Sequence, residues 1–307
     1  MAHKVLIDTD PGIDDAMAIL YALSDPGIEL VGLTTVFGNV PVETATRNAL
    51  DLMALAGSDA AVAEGAALPR TQPLKPHPDF VHGAGGFGDA RLPRASADAH
   101  ALDAADFIIQ ALHDAPGEVT LISVGPLTNL AEALDRAPEI AGLVREVVIM
   151  GGAFACAGNV SPVAEANIWN DPHAADLVFA ADWPMRMIGL DVTEQVRCAP
   201  EDFARLADAR PVTGGFLAKA AAFYMDFHRE SAGFYGCYMH DPSAVISAVR
   251  PALFRTEPHP LTAICDGEEI GATRTVTGRR PVDVALAVEA EAVRQHFLDV
   301  IASGPLR

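Results

Sequence analysis

Val5-Leu6-Ile7-Asp8-Thr9-Asp10-Pro11-Gly12-Ile13-Asp14-Asp15 is the stretch from which the rest of the chain is best read. Val5-Leu6-Ile7 is short, apolar and β-prone, the pattern of a buried strand. Pro11-Gly12 breaks that strand. Residues 16–23 follow with mostly strong helix formers, and Asp14 or Asp15 is placed to cap them. The carboxylates therefore lie where a strand runs into a helix amino terminus, the end of an open α/β sheet at which ligands bind. Four acids within eight residues repel one another unless a cation or protons intervene. Oxygen ligands of this kind suit calcium or magnesium.

Working outward, strands and helices alternate. Strands are expected at 28–37, 61–63, 119–124, 144–150 and 185–190, with helices at 41–56, 101–113, 128–136 and 174–181. Asp171-Pro172 is a helix-start signature for the last of these. This alternation predicts a single α/β domain, a mainly parallel central sheet with helices on both faces in the Rossmann-like manner. Residues 65–99 break the pattern with five prolines and the run His82-Gly83-Ala84-Gly85-Gly86-Phe87-Gly88. A loop this long in a compact domain reads as a mobile flap over a substrate.

Beyond 195, helices are expected at 203–207 and 214–227. The segment 224–238 concentrates Tyr224, Phe227, Phe234, Tyr235 and Tyr238 around His228. It reads either as core packing or as a wall for a planar ligand. His240-Asp241-Pro242 repeats the helix-start signature, so Asp241 either caps a helix or ligates a metal. The tail suggests strands at 261–264, 272–276 and 282–288 and a final helix at 291–301.

Half of the 307 residues are hydrophobic and the mean hydropathy is +0.22, ample for a large core. No apolar run approaches the roughly 20 residues of a membrane-spanning helix, and strand 1 begins too early to leave room for a signal peptide. Cys156, Cys198, Cys237 and Cys265 are scattered, with no CxxC pair, which fits a reduced cytoplasmic protein better than a disulfide framework or a zinc site. With 21 basic against 41 acidic residues the formal charge is −20. That field repels polyanions and argues against nucleic acid as a partner.

Taken alone, the acidic stretch also suits a magnesium phosphohydrolase of the haloacid-dehalogenase type, which begins with strand-D-x-D. The doubled Asp14-Asp15 and Asn39 after the second strand do not fit that plan, and no Lys or Arg stands near the stretch to hold a phosphate. Asp8 to Ala16 instead resembles the amino-terminal signature of the inosine-uridine-preferring nucleoside hydrolases. Thr34-Thr35-Val36-Phe37-Gly38-Asn39, His82-Gly83, Val124-Gly125-Pro126-Leu127-Thr128-Asn129, Val148-Ile149-Met150-Gly151-Gly152, Gly158-Asn159-Val160, Ala164-Glu165-Ala166-Asn167 and His240-Asp241-Pro242 continue the likeness in one order to about residue 250.

The resemblance implies hydrolysis of a ribonucleoside to ribose and free base, a homodimer or homotetramer, and a bound Ca2+ held by Asp10, Asp15, Asp241 and the main-chain carbonyl of Val124. Asp10 would act as general base on a calcium-activated water, with Asn39 near that water. Asp14, Asn159, Glu165 and Asn167 would meet the sugar hydroxyls, Glu165 and Asn167 sharing one face if the chain there is extended. His240 would face the leaving base, and His82 would reach it from the flap. Ala166 stands where other members carry Phe, and His228, one turn after Tyr224, stands where Tyr is common. These departures concern the base and tilt the expectation toward pyrimidine ribosides. A non-catalytic, calcium-stabilised nucleoside-binding protein is the remaining alternative.

Overall fold

β1 (His3–Thr9) is the hub of the molecule. Along it Val5 and Ile7 enter one apolar cluster and Leu6 the other. A strand buried on both faces needs apolar residues at both phases of its two-residue period, which is why its sequence runs continuously apolar rather than alternating. In the computed structural model, which describes residues 2–306, β1 is flanked by β2 (Ile28–Thr35) and β4 (Val119–Ser123), both parallel to it. With β3 (Ala61–Glu64), β5 (Glu146–Met150), β6 (Met185–Ile188), β7 (Phe254–His259) and β8 (Val282–Val288) the strand order is β3-β2-β1-β4-β5-β6-β8-β7. Six strands in the order 3-2-1-4-5-6 are the doubly wound arrangement, whose switch point falls between β1 and β4.

On one face pack α1 (Ile13–Ser24), α3 (Thr213–Ser231) and α4 (His240–Val249), with the final helix Ala290–Ser303 against α1. Helices Ala104–Asp114, Thr128–Arg136 and Pro172–Ala180 cover the other face. α2 (Val42–Ala56) lies beside α1 at the β2 side. No helix among the described residues is long and apolar enough to cross a membrane.

The expected elements are present with shifted ends, and among the differences three bear on the site and the sheet edge. β7, antiparallel to β8, is absent from the sequence-based expectation. Of its residues Phe-Arg-Thr-Glu-Pro-His only Phe254 is buried, and Pro258 argues against a strand unless that strand is at an edge, which is where it lies. The polar loop before Asn170 ends in a short helix, Ala166–Asn170. The segment 65–99 is not structureless. It contains a helical turn, Asp79–His82. Arg70 N–H donates to Asp171 (2.9 Å), Asn48 Nδ2 to the Gly85 carbonyl (2.9 Å), and Ala95 N–H to Asp51 (2.7 Å).

Candidate active site

The carboxyl ends of β1 and β4 carry the acidic stretch. Asp8, last but one in β1, is fully buried and accepts hydrogen bonds from Thr34 Oγ1 (2.6 Å), Asn129 Nδ2 (2.7 Å) and Ser123 Oγ (3.3 Å). It thereby ties β1 to both neighbouring strands. Burial pushes its carboxyl up to about 7 against the pull of those three donors.

Asp15 sits in the first turn of α1. Its Oδ2 accepts from Gly12 N–H (2.9 Å) and Asn39 Nδ2 (3.0 Å), and its Oδ1 from Asp10 N–H (3.2 Å) and Thr9 Oγ1 (2.5 Å). The helix cap itself is Gly12, and Asp15 reaches back to it from the third helical position. Asp10 is held between bare backbones. A Cβ at Gly38 would stand 1.9 Å from its Oδ2, and one at Gly125 would stand 2.7 Å from its Oδ1. Oδ2 accepts from Asn39 N–H (2.7 Å), whereas Oδ1 of Asp10 and Oδ1 of Asp14 are buried without a hydrogen-bond partner.

Asp241, in the first turn of α4, reaches the same place from the carboxyl-terminal half. Asp14, Asp15 and Asp241 each put a carboxylate oxygen within 4.8 Å of the other two. Burial, then mutual repulsion, raises the proton affinity of Asp10, Asp14 and Asp241. Asp14 reaches about 8, and Asp10 and Asp241 lie well above the carboxylate range. Packed all-oxygen donors with orphaned lone pairs fit a hard divalent cation, whose charge replaces the protons that such a cluster otherwise takes up. Asp15 and Asp241 are thus together as expected, but the third member of the trio is Asp14, which the sequence assigned to the ribose. Asp10 lies beside them.

The Val124 carbonyl accepts from Asn167 Nδ2 (2.9 Å), which also reaches the Met150 carbonyl (3.1 Å). A carbonyl has two lone pairs, so one remains on Val124. Glu165 and Asn167 do not share an extended face. Glu165 caps the helix Ala166–Asn170, its carboxylate accepting from Asn167 N–H (2.9 Å), Ile168 N–H (3.2 Å) and Gly152 N–H (2.9 Å). Asn159 is exposed, and its Oδ1 accepts from Ala166 N–H (3.0 Å).

Above the acids stands a wall of rings. Tyr224, on α3, directs its hydroxyl to Asp14 Oδ2 at 3.5 Å and packs on His82 (centroids 5.5 Å) and His228 (4.2 Å). Tyr238 meets His228 edge-on at 4.8 Å and lies 5.4 Å from His240. The two outer tautomers are legible from their partners. His82 Nδ1 accepts from Ile13 N–H (3.1 Å), so its proton is on Nε2, while His228 Nδ1 donates to the Gly236 carbonyl (3.0 Å), leaving Nε2 as an acceptor. His240 Nδ1 is bonded to Thr193 Oγ1 at 2.7 Å. Burial lowers all three imidazoles, to about 3 for His82 and His240 and about 4 for His228, so each is neutral near pH 7. Thr193 carries no sequence signal. Thr9 lay inside the opening motif, unremarked because its neighbours are charged.

Because Gly38 is filled by the Asp10 carboxylate, Gly38→Ala displaces that group without touching a ligand. The expected result is a fall in kcat of about 100-fold with an unchanged far-ultraviolet spectrum, since a displacement on the order of 1 Å at a reacting group costs that much. Activity within twofold of wild type would show that the seating of Asp10 is irrelevant.

Clustered carboxylates at the switch point of a doubly wound sheet, roofed by neutral imidazoles and aromatic rings, make a site suited to a hard cation and a small ligand with a planar group. The chain belongs to the family described as inosine-uridine preferring nucleoside hydrolase, whose sequence model matches residues 5–295. It is similar to uridine nucleosidase 1 of Arabidopsis thaliana, 41% identical, with 96% of this chain and 91% of that protein covered. Among solved structures it resembles the plant nucleoside hydrolase PpNRh1 (TM-score 0.96, 38% identity, 99% and 100% of the two chains). It also resembles the purine-preferring ribonucleoside hydrolase from Gardnerella vaginalis (TM-score 0.94, 35% identity, 97% and 98%). The protein is an enzyme that hydrolyses the N-glycosidic bond of ribonucleosides.

Proposed function

We propose that this hydrolase prefers pyrimidine ribosides, uridine above all, and works with a calcium ion held by Asp10, Asp15, Asp241 and the Val124 carbonyl, with Asp14 beside them. The observation that carries the metal reading is the pair of buried, unbonded carboxylate oxygens on Asp10 and Asp14 next to the Asp15–Asp241 contact. When bound, the cation supplies positive charge that offsets the carboxylate repulsion and makes a nearby water more acidic.

Asp10 takes the proton of the attacking water at Oδ1, its Oδ2 being fixed by Asn39 N–H. Asp14 accepts from the ribose hydroxyls, assisted by Asn167, Glu165 and Asn159 at the far side of the sugar. The negative charge around C1′ stabilises the oxocarbenium-like transition state. The base departs with the electrons of the glycosidic bond. With the Thr193 hydroxyl donating to Nδ1 of His240, the Nε2–H of this neutral ring donates a hydrogen bond to the departing base, which takes its proton from solvent. His82 offers a donor at Nε2 and His228 an acceptor at Nε2. That pairing complements the acceptor O2 and donor N3–H of uracil. The name of the Arabidopsis relative supports the same preference. The turn Asp79–His82 carries His82, so segment 65–99 must move for substrate to enter and product to leave.

Steady-state ribose release from uridine, cytidine, inosine and their 2′-deoxy analogues tests the reading. Uridine should show the highest kcat/KM, and 2′-deoxyuridine should fall by up to about 10⁴- to 10⁵-fold, because polar groups built for a hydroxyl are left unpaired without it. Inosine outrunning uridine would overturn the base assignment alone. Equal rates on deoxyribosides would overturn the assigned sugar contacts.

A further inference from the structure

Two of the four cysteines that look unrelated in sequence meet in the fold. Arg197–Cys198 and Cys237–Tyr238 form a short antiparallel ribbon in which Cys198 lies directly opposite Cys237, and Met239 N–H extends the ladder to the Val196 carbonyl at 3.0 Å. Both side chains are buried in the same apolar cluster, as cross-strand partners on one face must be. Directly opposed residues of an antiparallel pair have Cα atoms about 4.5–5.5 Å apart. A disulfide accepts about 4.4–6.8 Å, and its Cβ atoms need close by only about 1 Å. In the reduced state the Cys237 thiol makes only a weak 3.7 Å bond to the Ala221 carbonyl, so little is lost on oxidation.

We propose that Cys198 and Cys237 are a modification site, forming a reversible intramolecular disulfide that staples the base-facing wall. The bond would close residues 199–236 into a loop that contains Tyr224 and His228. It lies three positions before His240, and its neighbour Gly236 holds His228. The oxidant is a small-molecule disulfide such as oxidised glutathione. One cysteine thiolate attacks it and releases one reduced glutathione. The second cysteine thiolate then attacks the protein-bound sulfur and releases another. The cysteines are oxidised, the glutathione disulfide is reduced, and the two cysteine protons end on the two glutathione thiols. Burial holds both thiols above their ordinary range, so the folded chain reacts slowly and equilibrium is best approached from the unfolded one.

The test uses the full chain carrying Cys156→Ser and Cys265→Ser, refolded from denaturant in excess oxidised glutathione. The expected product is a chain with no intermolecular disulfide, its intact mass lower by two hydrogens and no thiol alkylated under denaturing conditions. Its Tm should be about 5–10 °C higher than that of the dithiothreitol-treated protein. Adding Cys198→Ser should abolish both the mass change and the Tm shift. Two free thiols, glutathione adducts alone, or a disulfide-linked dimer would overturn the proposal.

Discussion

Asp10→Asn is expected to lower kcat for uridine hydrolysis by about 10²- to 10⁴-fold, the range that a positioned general base supplies. Shape and volume are kept, so Gly38 and Gly125 still enclose the side chain. The change falls on its two oxygens. The Asn39 N–H now at Oδ2 requires an acceptor there, which forces the new amide nitrogen to the Oδ1 side. The lone pair that would take the water's proton is replaced by a donor. KM should move less than kcat, because the proposed sugar and base contacts of Asp14, Asn167 and the imidazoles are elsewhere. A purely structural role for Asp10 predicts the opposite pattern, a lowered Tm with kcat retained, and that outcome would remove it from the chemistry. Asp8→Asn is the useful comparison. The Asp8 carboxylate accepts from Thr34, Ser123 and Asn129 behind the site, so its loss should be read mainly in Tm.

What the sequence showed of this arrangement follows the range of the interactions. The β1–α1 unit was legible because a continuous apolar strand, a Pro-Gly break and a helix start are local signals. The parallel sheet followed from repeating them. β7 was hidden because an edge strand buries one side only, and its Pro258 reads as a breaker. Within the site, residues of one motif were recognisable as a cluster, but their partition was not. Asp14 rather than Asp10 completes the closest carboxylate trio with Asp241 because α1 turns those side chains, a matter of helical phase that four adjacent acids do not reveal. The residues alone left Asp241 as either a helix cap or a metal ligand, and only the family resemblance joined it to this site. Nothing in the composition of either segment says that α4 ends against α1. Glu165 was misread geometrically. Its spacing from Asn167 suits an extended segment, yet a carboxylate that accepts from the N–H groups two and three residues further on caps a helix instead. The Cys198–Cys237 pairing belongs to the same class of fact, since the ribbon that aligns them is set by how α3 returns to the sheet.

Removing the cation should act on activity and stability together. Without it, Asp10, Asp14, Asp15 and Asp241 are buried, mutually repelling groups, and two of their oxygens have no donor. A ligand that binds only the folded state at a hundredfold excess over Kd contributes about 2.7 kcal/mol. For a domain of this size that corresponds to a Tm shift of roughly 4 °C. Exhaustive EDTA treatment, with metal content followed by atomic emission, is therefore expected to lower Tm by about that amount and to reduce ribose release to about 1% or less. Calcium should restore both. Magnesium should restore less, because it demands near-octahedral geometry at about 2.0–2.1 Å and gives up its waters reluctantly, whereas calcium accepts six to eight oxygens in flexible arrangements. Asp241→Asn, which removes one formal charge from the cluster, should raise the calcium concentration needed for half-maximal restoration while leaving the fold intact at saturating metal. If metal-free protein keeps its full activity and Tm, the cluster is held by protons alone. Asp10 would then have to act on a water that no cation has made acidic.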